Sequence, residues 1–266
     1  MYIQLSDTVG TKQLQEMILT LGGSDVNREI LDSTEITNPS GKGNLLCSSI
    51  PTQLPITLQK SIGALIDGQT IIICGGEYEE LKTTEECYIL TDNGFKNLVN
   101  MTTKRSMASS IVTKDNKLWV TGGSQDSSWS GLKSTEVIDF KSLTSTRYVD
   151  LPDYMWGHKM VAINESTSIL IGGVYDKSIG WSKKTYFFDH LNVIWTPGPS
   201  LKFARNQHSA ELMTPNQGQP VLVVVGGFNR EYSSYLSSVE ILRDPSINGQ
   251  WEYGNVFTPF YLYFTH

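Results

Sequence analysis

The sequence predicts an all-β chain folded as a β-propeller of four-stranded antiparallel blades, and three observations carry that reading. Paired glycines recur at Gly22-Gly23, Gly75-Gly76, Gly122-Gly123, Gly172-Gly173 and Gly226-Gly227, with spacings of 53, 47, 50 and 54 residues. Each pair directly follows a short apolar run: EMILTL, TIIIC, KLWVT, TSILI and PVLVVV. The composition agrees, because 23 glycines, 10% aromatic and only 18% charged residues in 266 suit many short strands better than long amphipathic helices. Self-similarity at a period near 50 residues is the mark of a repeat architecture with one supersecondary unit per period.

Each element of the repeat has its own justification. The glycine-terminated runs are β-rich, four to six residues long, and stop where two glycines allow positive φ or close passage of a neighbouring strand. A second strand-like run follows a polar loop: STEIT (33–37), TEECYIL (84–90), STEVIDF (134–140), KTYFFD (184–189) and SSVEIL (237–242). A third run often carries an aromatic: FKNLVN from Phe95, RYVDL from Arg147, VIWTP around Trp195 and QWEYG around Trp251. A fourth comprises KSIGALI (60–66), RSMASSIV (105–112), GHKMVAI (157–163) and QHSAELM (207–213). Four strands per period make a propeller blade. The whole chain, 1–266, reads as one propeller domain with blades at about 1–54, 55–103, 104–152, 153–201 and 202–256. The segment 257–266, FTPFYLYFTH, reads as the start of a further blade, with His266 close to a recurring histidine position.

With these residues in view, the chain resembles the kelch repeat family. The resemblance rests on the glycine pairs, the acidic or tyrosine position about 13 residues later (Glu136, Tyr186, Glu240), Trp195 and Trp251, and the segments beginning at Arg105 and Arg205. The chain departs from the pattern where Phe95 stands at a tryptophan position, and where Ser61 and Ala108 replace the histidine held by His158 and His208. Kelch propellers close with six or seven blades, so five glycine pairs imply an incomplete six-bladed ring, with a compact five-bladed ring as the alternative. An incomplete ring leaves edge strands open to self-association.

Little in the sequence points to catalysis. None of the four histidines, His158, His190, His208 and His266, pairs with another His or Cys at metal-ligand spacing, so neither metal nor cofactor is expected. No Walker loop, nucleophile elbow or HExxH occurs. Recurrent acids such as Glu35, Glu136 and Glu240 are explained by strand contacts. Cys74 and Cys87 flank the second glycine-pair loop on strands expected to be antiparallel neighbours; a cross-strand disulfide is geometrically conceivable, but the two are read as buried apolar residues, and Cys47 has no obvious mate. A net charge of -6 gives no polyanion-binding footprint, which excludes nucleic acid as the expected partner. The absence of a long apolar run or basic-apolar leader sets the expectation of a cytoplasmic protein with no membrane partner. Sequons at Asn100 and Asn164 are about as many as chance supplies.

What remains is surface. The loops after the glycine pairs place large aromatics beside charges, and the candidate anchors for a protein or peptide partner are Tyr78, Trp129, Trp181, Arg230 and Tyr235, with Arg105 and Arg205 at the same rim. The expected function is non-enzymatic protein binding, of the adaptor or scaffold kind that kelch propellers perform. Kelch adaptors usually carry a BTB domain ahead of the propeller; with the first glycine pair already at residue 22, an adaptor role would need a separate chain or a lost domain. The alternative is a propeller enzyme or carbohydrate-binding protein using the central channel.

Overall fold

The computed structural model describes residues 2–6, 16–25, 27–37, 53–68, 70–79, 82–126, 130–175, 180–214, 218–231 and 234–254, the first two strands and 35–37 chiefly by backbone. Trp129, Cys47, His266, the side chain of Glu35 and the whole 257–266 segment therefore lie outside the described residues.

The chain divides into two compact units. The first comprises 1–120, 125–127 and 136–148; the second comprises 121–124, 128–135 and 149–266. A three-stranded sheet opens the chain: β1 (Tyr2–Ser6), β2 (Glu16–Ser24) and β3 (Ile30–Thr37). The next sheet is ordered β4 (Ile62–Ile66), β5 (Thr70–Cys74), β8 (Glu86–Thr91), β9 (Gly94–Asn100), with β6 (Glu77–Glu79) and β7 (Lys82–Thr83) forming a ribbon in its post-glycine loop. A third sheet holds β10 (Ser109–Val112), β11 (Leu118–Thr121), β12 (Thr135–Asp139) and β13 (Thr144–Arg147). The fourth holds β14 (Lys159–Asn164), β15 (Thr167–Ile171), β16 (Thr185–Asp189) and β17 (Ile194–Pro197). The fifth is ordered β18 (Ser209–Met213), β19 (Val221–Val225), β22 (Val239–Leu242), β23 (Trp251–Tyr253), with β20 (Phe228–Asn229) and β21 (Ser234–Tyr235) as its ribbon. One strand is displaced: RYVDL begins where β13 ends, because the strand is the polar TSTR just before it.

Within each unit the core lies between consecutive sheets. In the first unit Leu21 packs with Ile71, Ile73 and Tyr88, and Ile72 and Cys74 pack with Leu118, Val120 and Ile138. In the second unit Ile169, Ile171 and Phe187 meet Leu222, Val224, Leu242 and Trp251.

Consecutive sheets are also joined by a repeated backbone junction. An apolar residue donates its N–H to the preceding blade, and the residue four positions later both donates to that blade and accepts from its second glycine. Leu201 and Arg205 do this with Lys183 O (2.8 Å), Ser182 O (3.3 Å) and Gly173 N (2.8 Å). Leu54 and Leu58, Met101 and Arg105, and Leu151 and Met155 make the same three bonds, to Gly23, Gly76 and Gly123 respectively. In these four junctions the first glycine of the pair therefore lies under the next blade's carbonyl: a Cβ on Gly172, at φ 61°, would stand 2.6 Å from Arg205 O. A side chain there is excluded both by conformation and by space.

One expectation is overturned in the core. Cys74 and Cys87 are not free thiols but a disulfide with Cα atoms 4.1 Å apart. They face each other across β5 and β8. In other blades the same cross-strand pair is Ile171 with Thr185 or Val225 with Val239. The bridge is a feature of one blade, not of the repeat.

Candidate functional site

The post-glycine loops are positioned by a common register. The residue after the glycine pair bridges to the residue eight places past the second glycine: Ser124 to Gly131, Val174 to Trp181, Phe228 to Tyr235. It bridges also to the strand-entry residue of its own blade, as in Trp156 with Val174 and Asn206 with Phe228. Trp181 and Tyr235 thus occupy equivalent places, whereas in the third blade that place belongs to Gly131 rather than Trp129.

In the second unit these rules bring five side chains together. The Trp181 indole donates through Nε1 to Asn206 Oδ1 at 3.0 Å, and its ring meets Phe228 edge-on at 6.2 Å. Phe228 in turn meets Tyr235 edge-on at 5.4 Å. The Arg230 guanidinium lies 5.6 Å from the centre of the Trp181 ring, within cation–π range. Trp181 and Phe228 are half-buried, while Tyr235 is 72% exposed and Arg230 is exposed. The result is an aromatic ladder whose inner rungs fill the gap between neighbouring blades and whose outer rung faces solvent. Phe228 and Asn206, both essential to it, were not among the sequence candidates. The signal for Phe228 was available, since it is the first residue after a glycine pair.

Beside the ladder, the Lys184 ammonium lies 4.9 Å from the Tyr175 ring centre and 3.4 Å from Asp153 Oδ2, and these partners, Tyr175 first, raise its pKa. Burial, with a 2.9 Å hydrogen bond to Asp153, pushes the Tyr186 hydroxyl up to about 12. In the first unit the post-glycine position is quite different. There Glu77 is a buried carboxylate that accepts from Lys60 Nζ at 2.8 Å and Ser106 Oγ at 3.2 Å. Tyr78 next to it is half-buried against the Leu21–Tyr88 core.

Arg105 and Arg205 correct the sequence reading. Neither is at the rim; both side chains are 0% exposed. Arg105 pairs with Glu136 at 2.5 Å and Arg205 with Glu240 at 2.6 Å, and Arg205 also donates to Gly226 O at 2.7 Å. Glu240 further accepts the N–H groups of Lys202 (2.6 Å) and Phe203 (3.1 Å), just as Glu136 accepts those of Thr102 and Thr103. Burial alone would raise the Glu136 carboxyl, but Arg105 and these hydrogen bonds outweigh it and hold the pKa below the ordinary value. Each acid is a clamp on the loop entering its blade. In the fourth blade Tyr186 replaces the acid and donates instead to Asp153.

The recurrent histidines have unequal surroundings. His158 Nε2 lies 2.9 Å from Thr121 Oγ1. The residue equivalent to Thr121 in the next blade is Ile171, so His208, 1% exposed, finds no hydrogen-bond partner for either ring nitrogen among the described residues. Burial, then the nearby Arg205, Lys159 and His158 charges, lower its pKa well below the ordinary value.

Comparison with solved structures identifies the architecture. A structure titled "Structure of YjhT" superposes with a TM-score of 0.70, over 94% of this chain and 82% of that one, at 14% identity. The fold is a β-propeller. In all, 201 solved chains match it, so the fold is too widely used to specify an activity. No protein-family model and no curated protein matches the chain. No helix among the described residues is long and apolar enough to cross a membrane.

Proposed function

We propose that this propeller is of the kelch type and works as a non-enzymatic module that binds a protein or peptide through its post-glycine loops. The observation that carries the reading is the Trp181–Phe228–Tyr235 ladder with Arg230 against it. Aromatic and arginine side chains bury large area at small entropic cost and dominate measured binding hot spots. The rigid inner rungs hold Tyr235 in place before a partner arrives, which lowers the ordering cost of association. The kelch assignment draws support from the glycine pairs at positive φ and from the acid or tyrosine clamp at Glu136, Tyr186 and Glu240.

The Cys74–Cys87 bridge bears on the compartment. Disulfides persist in oxidising environments and are rare in the cytosol, so we place the working protein in an oxidising compartment rather than in the cytoplasm expected above. The function is tested by capturing partners with wild-type protein and with the Tyr235→Ala/Arg230→Ala variant, beside a glycan array. A partner retained by the wild type and lost by the variant supports the proposal. Glycan binding that survives in the variant favours the channel-based carbohydrate reading.

A further inference from the structure

The fold treats the two sequons differently. Asn164-Glu165-Ser166 forms the tip of the β14–β15 hairpin, where Asn164 pairs with Thr167 across a two-residue turn. Asn164 and Glu165 are exposed, while Ile163 just before them packs against the second-unit core. Ser166 closes the tip: its N–H donates to Asn164 Oδ1 at 2.9 Å and its hydroxyl to the same oxygen at 3.0 Å. The Ser166 carbonyl accepts the His190 N–H at 2.8 Å, which ties the tip to the β16–β17 turn of the same sheet. Both of these bonds to the Asn164 side chain fall on its oxygen, so a substituent on Nδ2 breaks neither. At Asn100 the third residue of the sequon is committed elsewhere. Thr102 donates through its N–H (2.6 Å) and its hydroxyl (2.8 Å) to Glu136, as part of the clamp on β12.

We propose that Asn164 carries an N-linked glycan. The inference rests on the oxidising compartment read from the Cys74–Cys87 bridge, because sequons are glycosylation acceptors on surface turns of secreted proteins. The donor is an oligosaccharide carried on a lipid diphosphate and delivered by a transferase of the cell. Asn164 Nδ2 bonds to the anomeric carbon of the first sugar, and the bond from that carbon to the diphosphate oxygen breaks. The lipid diphosphate leaves with the electron pair, and Nδ2 gives up one proton to a base of the transferase. Two further observations favour this tip as the carrier. It is remote from the post-glycine loop of its own blade: β15 runs from Thr167 at the tip to Ile171 beside Gly172, and five residues at about 3.3 Å each separate the two ends by roughly 17 Å. A bulky glycan here leaves the Trp181–Phe228–Tyr235 ladder open. The β16–β17 turn bonded to the tip also carries Leu191, 74% exposed, with Val193 and Ile194 exposed beside it. A hydrophilic chain attached next to these side chains shields an apolar surface that otherwise faces water.

The test is peptide mass mapping of the full chain isolated from its native cells, with and without peptide-N-glycosidase. Reactive thiols are counted on the same sample, denatured and unreduced. The peptide bearing Asn164 should carry a series of hexose and N-acetylhexosamine increments, and enzymatic release should convert Asn164 to aspartate. Asn164→Gln and Ser166→Ala, which remove the acceptor and the hydroxyl separately, should each abolish the series. Should either variant fail to fold, the wild-type map alone decides the site. An unmodified Asn164 in protein with a single reactive thiol overturns the inference and leaves the compartment reading standing. An unmodified Asn164 with three reactive thiols overturns both. A series that persists in Asn164→Gln puts the glycan on another residue and overturns the assignment.

Discussion

Arg205 shows why a residue's type is a poor guide to its place. Its guanidinium is fully buried against Glu240, Ser238 and Gly226, so truncation leaves a carboxylate stranded in the core. Breaking one side of a buried pair typically costs about 3–5 kcal/mol. Arg205→Ala should therefore lower thermal stability sharply; a variant that melts like the wild type yet loses a partner would restore the arginine to the surface. His208 makes a prediction in pH. Its folded pKa is depressed, so below about pH 6.5 the unfolded chain binds a proton that the folded chain refuses. Stability is full above that pH and declines as the solution is acidified, at up to about 1.4 kcal/mol per pH unit from this residue. Denaturant midpoints of wild type and His208→Gln between pH 7 and 5 should diverge; parallel curves would mean His208 is solvated. Glu211, pushed up by burial, titrates in both proteins and cancels from the comparison.

At the scale of the element, turns and pairs decide. The β16–β17 turn places Val193 at φ 59°, a left-handed conformation that branched residues resist, with its side chain largely exposed. Val193→Asn keeps the turn and should raise stability by about 1 kcal/mol in chemical denaturation, since strain of that order is relieved; a loss would place the stability of the turn in valine packing instead. The β5–β8 disulfide predicts thiol counts: denatured, unreduced protein should show one reactive thiol of its three cysteines, rising to three with reductant. Three at the outset would contradict the bridge. The strands themselves were legible in the sequence because each apolar run is local and ends at a glycine pair. What escaped it was register. Tyr88 shares the clamp position with Glu136 but lies twelve rather than thirteen residues past its second glycine, which hides it from a fixed offset. The Arg–Glu clamps and the Phe228–Asn206 bridge join residues far apart in sequence, and no periodicity reports them.

Across the whole molecule, the propeller gives two kinds of aromatic residue different work. Trp251 is 2% exposed and donates to Pro199 O of the preceding blade, so its removal subtracts from folding. Tyr235 is held by Phe228 yet faces outward, so its removal should subtract from binding. The most direct measurement is therefore affinity for a captured partner, by calorimetric titration, on Tyr235→Ala with a melting curve for the same protein. The binding account predicts a loss of about 2 kcal/mol or more, roughly 30-fold in Kd, at unchanged melting temperature. An unchanged Kd with an intact fold would contradict it and move the binding surface off the post-glycine loops.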